Sequence, residues 1–362
     1  MTGRINYDGQ VRIDKSNIDS NVRFNLNAFG LNAPEPLNKV INTPLTARLN
    51  LKSNPDQKSG GSVLSWSGQI GERIFMQGSS ATGSPVRQAY GIGQPATLPQ
   101  NGIAFGINTN ELDLDAWYAF LKPSLGIDAA TKRGSEPTPS KYTDANVPLE
   151  ITAQVKKLTL LNRHWSELQL SANQKGPQLQ MQITSPQVAG QIQWQGKKKM
   201  DIAGQLSGKL SALRIPETIG SAATTNPTTK QQEPVQVSVR ELPNINVAVD
   251  DFQYGDKSLG KVSLKATRSP TALIINNLQI NNPQDAATIS GVWRGSDGAQ
   301  KERAEIDITM AIADLGPIAA RWGNPNSIEG GEGKITGKLA WSGSAFQPQL
   351  PTLSGKINVA LE

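Results

Sequence analysis

Few side chains in this chain could do chemistry, and they are poorly placed for it. His164 is the single histidine among 362 residues, and there is no cysteine. A His-rich or thiolate metal site is therefore out of reach, and neither a metal nor a cofactor is expected. No Ser or Asp stands near His164 in a triad-like context, so it reads as a surface or strand-edge residue. Asp250-Asp251 looks like paired carboxylates. Neighbours in a strand face opposite sides, however, and cannot easily share a proton or a metal. Gly330-Gly331-Glu332-Gly333-Lys334 sets a lysine after glycines without Walker spacing and leads into a strand instead of a helix. Gly91-Ile92-Gly93 runs into Gln94-Pro95, not into a helix start. Both read as turns, and the chain is expected not to be an enzyme.

Composition points the same way. The formal charge is +6, with lysines and arginines scattered singly. Lys197-Lys198-Lys199 is the one tight basic run, and it falls between two strands. It reads as a solvated hairpin turn, with contact to an anionic surface as the alternative. A basic stripe interleaved with exposed aromatics is missing, so no nucleic-acid partner is expected. Hydrophobic residues make up 37% and aromatics 5%, against 34 glycines and 23 prolines. Turn formers are plentiful and core formers modest, which suits many short strands. No signal peptide and no apolar run of about 18 residues occurs. The chain opens in strand-like Arg4-Ile5-Asn6-Tyr7 and stops in Lys356–Leu361. Both ends read as cut, so the chain is expected to be a section of something longer.

The elements that would position any site are strands. Four alternating runs reach the same phrase: Trp66-Ser67-Gly68, Trp194-Gln195-Gly196, Trp293-Arg294-Gly295 and Trp341-Ser342-Gly343. In the last, Ile335, Gly337, Leu339 and Trp341 share one parity, and Lys334, Thr336, Lys338 and Ala340 the other. Successive strand side chains point to opposite faces, so this is a strand with one apolar and one wet face. Each Trp is expected to close the apolar face at the strand end, and the following Gly to let the backbone turn.

The pattern divides the chain into sections. Residues 1–122 read as a β-meander with a short helix near 114–121, capped by Asp113 or Asp115 and stopped by Pro123. Residues 123–147 lack periodicity and read as a flexible loop. Residues 148–215 alternate most clearly: Leu168 and Leu170; Leu179, Met181 and Ile183; Ile192 and Trp194; Ile202 and Leu206. Joined by short turns, these strands form an antiparallel meander. Residues 216–234 read as a second flexible loop. From 235 to 362 the meander resumes through Val262 and Leu264, Ile289, then Ile306, Ile308 and Met310. A helix near 315–322 interrupts it.

The expected fold is therefore mainly β, a long twisted antiparallel sheet with a few short helices. A meander of roughly 18–22 strands at about 4.8 Å spacing must curl, split or close. Few helices exist to cover its apolar side. The sheet either folds over and fills itself, as a structural or adhesive β-protein would, or curls into a trough holding apolar ligand. Gly190, Gly204, Gly208, Gly291 and Gly337 on the apolar parity would leave gaps suited to acyl chains, or else serve curvature. A membrane-spanning barrel fits less well, given the low aromatic content.

Several ordered motifs resemble the YhdP-like, AsmA-related proteins of Gram-negative envelopes. Gly30-Leu31-Asn32-Ala33-Pro34-Glu35-Pro36-Leu37-Asn38-Lys39 is similar to that family's Gly-Leu-x-x-Pro-x-Pro-Leu-Gly-Lys segment, with Asn38 in place of the second Gly. Leu112-Asp113-Leu114-Asp115-Ala116-Trp117 resembles its Leu-Asp-x-Asp-x-Trp helix entry. The stretch from Leu242-Pro243 through Val249-Asp250-Asp251-Phe252 to Leu259-Gly260 is the closest match. Ala313-Asp314-Leu315-Gly316, Gly330-Gly331 and Leu339–Gly343 follow in the same order.

That resemblance implies a long β-sheet curled into a hydrophobic groove (a β-taco of the bridge-like lipid-transfer type). It implies a role in moving phospholipid between the inner and outer membrane and in upkeep of the permeability barrier. Full-length members are held in the inner membrane by an N-terminal helix and project through the periplasm. This chain would be an interior section, with phospholipids as partners and other envelope proteins as possible ones. The groove would be lined by Trp66, Trp194, Trp293, Ile335, Leu339, Trp341 and the alternating residues named above.

Overall fold

The computed structural model describes residues 1–15, 17–55, 61–121, 147–196, 204–217, 239, 242–296, 301–345 and 348–361. The protein is mainly β and divides into two compact units, Met1–Gly176 and Pro177–Glu362. The first holds β1 (Thr2–Gly3), β2 (Asn6–Asp14), β3 (Asn17–Asn25), β4 (Phe29–Gly30), β5 (Thr46–Pro55) and β6 (Ser62–Ile70). It continues with β7 (Ile74–Ala81), β8 (Arg87–Ile92), β9 (Gly102–Asp113), α1 (Leu114–Leu121), β10 (Leu149–Leu160) and β11 (Arg163–Lys175). Apart from the small β1–β4 pair, these strands form one ladder from β2 to β11 in chain order.

The second unit holds β12 (Gln178–Thr184), β13 (Val188–Gln195), β14 (Gln205–Ile215), β15 (Asn244–Tyr254) and β16 (Lys257–Arg268). Then come β17 (Ala272–Asn281), β18 (Asp285–Arg294), β19 (Arg303–Ile312), α2 (Leu315–Arg321), β20 (Gly333–Ser342) and β21 (Ser354–Leu361). Its ladder again follows chain order. Within its own unit, each ladder's first and last strand has a single partner.

The sheets are mixed, which corrects the expectation of a purely antiparallel meander. β9 runs parallel to both β8 and β10, and β14 runs parallel to β15. A parallel neighbour needs a crossover connection, whereas an antiparallel one needs only a hairpin. The stretches read as loops at 123–147 and 216–234 lie almost wholly outside the described residues, but the chain they belong to makes two of these crossovers. The third is Gly93–Asn101, between β8 and β9. It is accommodated by small side chains: Ala89, Ala104 and Ala96 form a dry cluster.

Insertions bend the strands. Bulges occur where β13 meets β14, β15 meets β16, and β17 meets both its neighbours. Each adds local twist and curves the strand that carries it.

Glycines on the apolar parity serve this curvature, and gaps are not their main effect. A Cβ on Gly190 would lie 2.4 Å from the Lys209 carbonyl oxygen, and one on Gly291 would lie 2.2 Å from that of Glu305. Gly337 is overhung by Ile357 and Ile308. Gly204 precedes β14, and Gly208 alone has ordinary room.

Helix α1 explains one motif residue by residue. Asp113 caps it by accepting from Ala116 N at 2.9 Å. Asp115 leaves the helix to accept from Leu161 N (2.9 Å) and Asn162 N (2.7 Å) in the β10–β11 turn. Trp117 Nε1 donates to the Glu35 carbonyl at 2.9 Å. That carbonyl belongs to the Gly30–Lys39 segment, in which Lys39 Nζ donates to the carbonyls of Phe29, Val40 and Thr43. The two motifs are thus interlocked.

Helix α2 is held differently. Arg321 Nη1 lies 2.7 Å from Asp285 Oδ2, a carboxylate side chain only 3% exposed. Asp285 stands directly across the ladder from Ile312, so the ion pair closes one end of the strands. Replacing Arg321 by alanine strands a buried charge, and unit 2 is expected to lose about 2 kcal/mol, read by urea unfolding.

Candidate functional site

The strands position one continuous surface, not a cluster of reactive groups. In unit 2 a single ladder row reads Met181, Ile192, Gly208, Val247, Leu264, Leu278, Ile289, Ile308, Gly337, Ile357. It crosses all ten strands without one polar side chain. The rows on either side behave alike. One runs from Ile183 through Val262 and Met310 to Val359, the other from Leu179 through Trp194 and Ile306 to Gly355.

The neighbouring row on the opposite face reads Gln182, Gln191, Lys209, Ala248, Ser263, Gln279, Thr288, Thr309, Thr336, Asn358. Alternation along each strand, kept in register by the ladder, thus sums to a two-faced sheet. On the polar face, hydrogen bonds from Arg294 and then Arg303 hold the Glu305 carboxyl below the usual glutamate range.

Unit 1 repeats the arrangement. The row Tyr7, Phe24, Ala47, Ile70, Ile74, Ile92, Ile107, Ala153, Leu170 crosses nine strands, and Leu168 lies on the same side. An aromatic line crosses this face: Trp66 and Tyr90 ring centroids are 6.4 Å apart, and Tyr90 and Phe105 stack at 5.4 Å. Trp66 lies over Gly78, its ladder partner, and a Cβ there would fall 2.4 Å from the indole. Gly78→Val is expected to lift the indole and lower unit 1 stability by about 1–3 kcal/mol, followed by tryptophan fluorescence during unfolding.

This apolar surface is open at its edge strands and mostly half-buried toward its centre. Tyr7 is 74% exposed and Val11 62%. Ile289, Ile306, Ile308, Met310, Ile335 and Leu339 are half-buried. Within each unit, strands make close backbone contact only with their ladder neighbours.

All the described residues expected to line the groove fall on this one surface of their own sheet; Ile202 lies outside the described residues, as does Lys197–Lys199. The Trp-x-Gly phrase, however, does not have the uniform meaning expected of it. Trp66 is in mid-strand, with Ser67 to Ile70 still paired. Of the four phrase glycines, only Gly343 has positive φ (98°).

Trp194, Trp293 and Trp341 do end their strands, and at the same end of the unit 2 sheet. Trp293 and Trp341 are buried and do not lie at a water boundary. Trp293 packs with Val239, Ala266 and fully buried Leu273, and its Nε1 donates to Glu302 Oε1 at 2.6 Å. Trp341 Nε1 donates to the Ser344 carbonyl at 2.8 Å. A dry seam therefore runs along that end, with each indole N–H satisfied as burial requires.

The polar residues weighed for chemistry are dispersed. His164 is exposed, with Nδ1 3.3 Å from Thr159 Oγ1. Asp251 pairs with Arg214 across the ladder. Among the described residues no group of three or more His, Cys, Asp or Glu could hold a metal ion, and no helix is long and apolar enough to cross a membrane.

Comparison with known proteins gives one positive finding. A family model described as YhdP protein matches residues 1–362, the whole chain. No curated protein and no solved structure matches. With the family model spanning every strand of both apolar faces, the chain belongs to the YhdP family.

Proposed function

We propose that this chain is a section of a lipid conduit. Its apolar faces shield the acyl chains of phospholipids while the head groups stay toward water. The observation that carries the reading is the uninterrupted row from Met181 to Ile357, ten strands wide and with none of its residues buried. Such a surface attracts alkyl chains by removing apolar area from water, worth about 0.8 kcal/mol per buried methylene. It needs no directional group, so binding tolerates many chains and no reaction is required. Family membership supports placing this activity in the cell envelope, with phospholipid moving through the periplasm between inner and outer membrane.

The test is the lipid content of the chain purified without detergent. Phospholipid is expected by mass spectrometry in near-stoichiometric amount, and uptake of a fluorescent phospholipid from vesicles is expected to accompany it. Protein free of lipid that also fails to take up the probe would favour a structural β-protein instead.

A further inference from the structure

The polar face of unit 1 holds a second feature, unrelated to the apolar surface. The Gly93–Asn101 crossover overhangs β7 and β8. Beneath its edge lies a cavity of about 260 Å³, lined by Arg48, Asn50, Ser67, Gln69, Phe75, Gln77 and the crossover's Pro95 and Ala96. Two ladder rows build its floor: Arg48, Gln69, Phe75 and Asn50, Ser67, Gln77.

The floor offers both donors and acceptors. Gln69 Nε2 donates to the Gly71 carbonyl at 2.9 Å, and Gln77 Nε2 to that of Ala96 at 2.7 Å. Each amide is thereby oriented by its N–H, leaving its Oε1 as the acceptor not used in that bond. Beside Gln69, its ladder partner, stands Arg48, exposed and without an ion-pair or hydrogen-bond partner among the described residues. Arg23 is directly opposite it on β3, so two like charges share one rung. Asp8 is the ladder partner of Arg23 on its other side, and the nearby Asp19 is engaged by Lys52 at 3.7 Å, so Arg48 is the cation of this rung with no carboxylate as a ladder partner.

A guanidinium, the neighbouring amide oxygens and the Phe75 ring as an apolar wall match one ligand chemistry. A carboxylate would dock on Arg48, ring hydroxyls would donate to Gln69 and Gln77, and the C–H face of a pyranose would rest on Phe75. We propose that this cavity binds an acidic sugar of the uronate type.

Isothermal titration of the full chain with D-glucuronate, D-glucose and inorganic phosphate tests this. Glucuronate is expected to bind, and glucose and phosphate to bind at least about tenfold more weakly, one hydrogen-bonded ion contact being worth that factor. Arg48→Gln, at an exposed position, and Ser67→Leu, which fills the cavity, should each cost about tenfold or more in affinity for glucuronate. No glucuronate binding, equal binding of phosphate, or unchanged glucuronate affinity in both variants overturns the proposal. Neither result bears on the lipid reading, because the cavity and the apolar rows lie on opposite faces.

Discussion

Trp293→Ala is expected to lower the stability of unit 2 by about 3–5 kcal/mol, the usual range for truncating a large buried aromatic. The indole is 3% exposed and packs on Val239, Ala266 and Leu273, which is wholly buried. Its removal takes away the transfer free energy of the ring and leaves a hole that strand backbones, fixed by the ladder, cannot collapse into. It also strips Glu302 of the Nε1 donor at 2.6 Å. Trp293→Phe separates the two terms, keeping most of the packing and losing the hydrogen bond, so it should cost about 1–2 kcal/mol. Urea unfolding followed by circular dichroism reads both. Because the dry seam lies at one end of the strands, neither change should alter lipid content in protein that remains folded.

Ile308→Glu is expected to do the opposite, abolishing lipid retention with little loss of fold. Ile308 sits in the middle of the apolar row, between Ile289 and Gly337, and is half-buried. In lipid-free protein a glutamate there still reaches water. Against an acyl chain its carboxylate must be desolvated, with no cation on the same face of the neighbouring strands to receive it, a penalty of several kcal/mol. Lipid per protein should fall at least about tenfold for each 1.4 kcal/mol of that penalty. Thr309→Glu, one residue along on the polar face, should change nothing. Quantitative lipid extraction from the two purified variants reads the contrast.

Which residues share the apolar face was legible in the sequence, because strand parity alone decides it. Ile335, Gly337, Leu339 and Trp341 alternate with charged and polar residues, and no tertiary information is needed to see two faces. Strand direction was not legible. Alternation looks the same read either way, so the parallel pairing of β14 with β15 shows in the sequence only as the long connection before Asn244. The Trp-x-Gly phrase misled for a related reason, since three residues do not encode their place along a strand. Trp66 sits mid-strand over Gly78, whereas Trp293 ends its strand in a dry seam.

The glycines carried two readings, gap or bend, and backbone proximity decides between them. The close approach of the Glu305 carbonyl at Gly291 is a property of the neighbouring strand. The roles of Asp113, Asp115 and Trp117 were partly visible. A cap could be expected from Asp113 or Asp115, but that the second reaches the β10–β11 turn required the fold. The Arg48 cavity gave no sequence signal, because its residues come from strands distant in the chain and meet only through register.

The most direct measurement replaces single residues of the full chain with a photo-crosslinking benzophenone amino acid and identifies lipid adducts by mass spectrometry. Leu264 and Ile308 face the apolar side, whereas Ser263 and Thr309 face the other. Phospholipid adducts at 264 and 308, and none at 263 and 309, are the predicted result. Adducts of equal yield at all four positions, or at none, would contradict a lipid-shielding face.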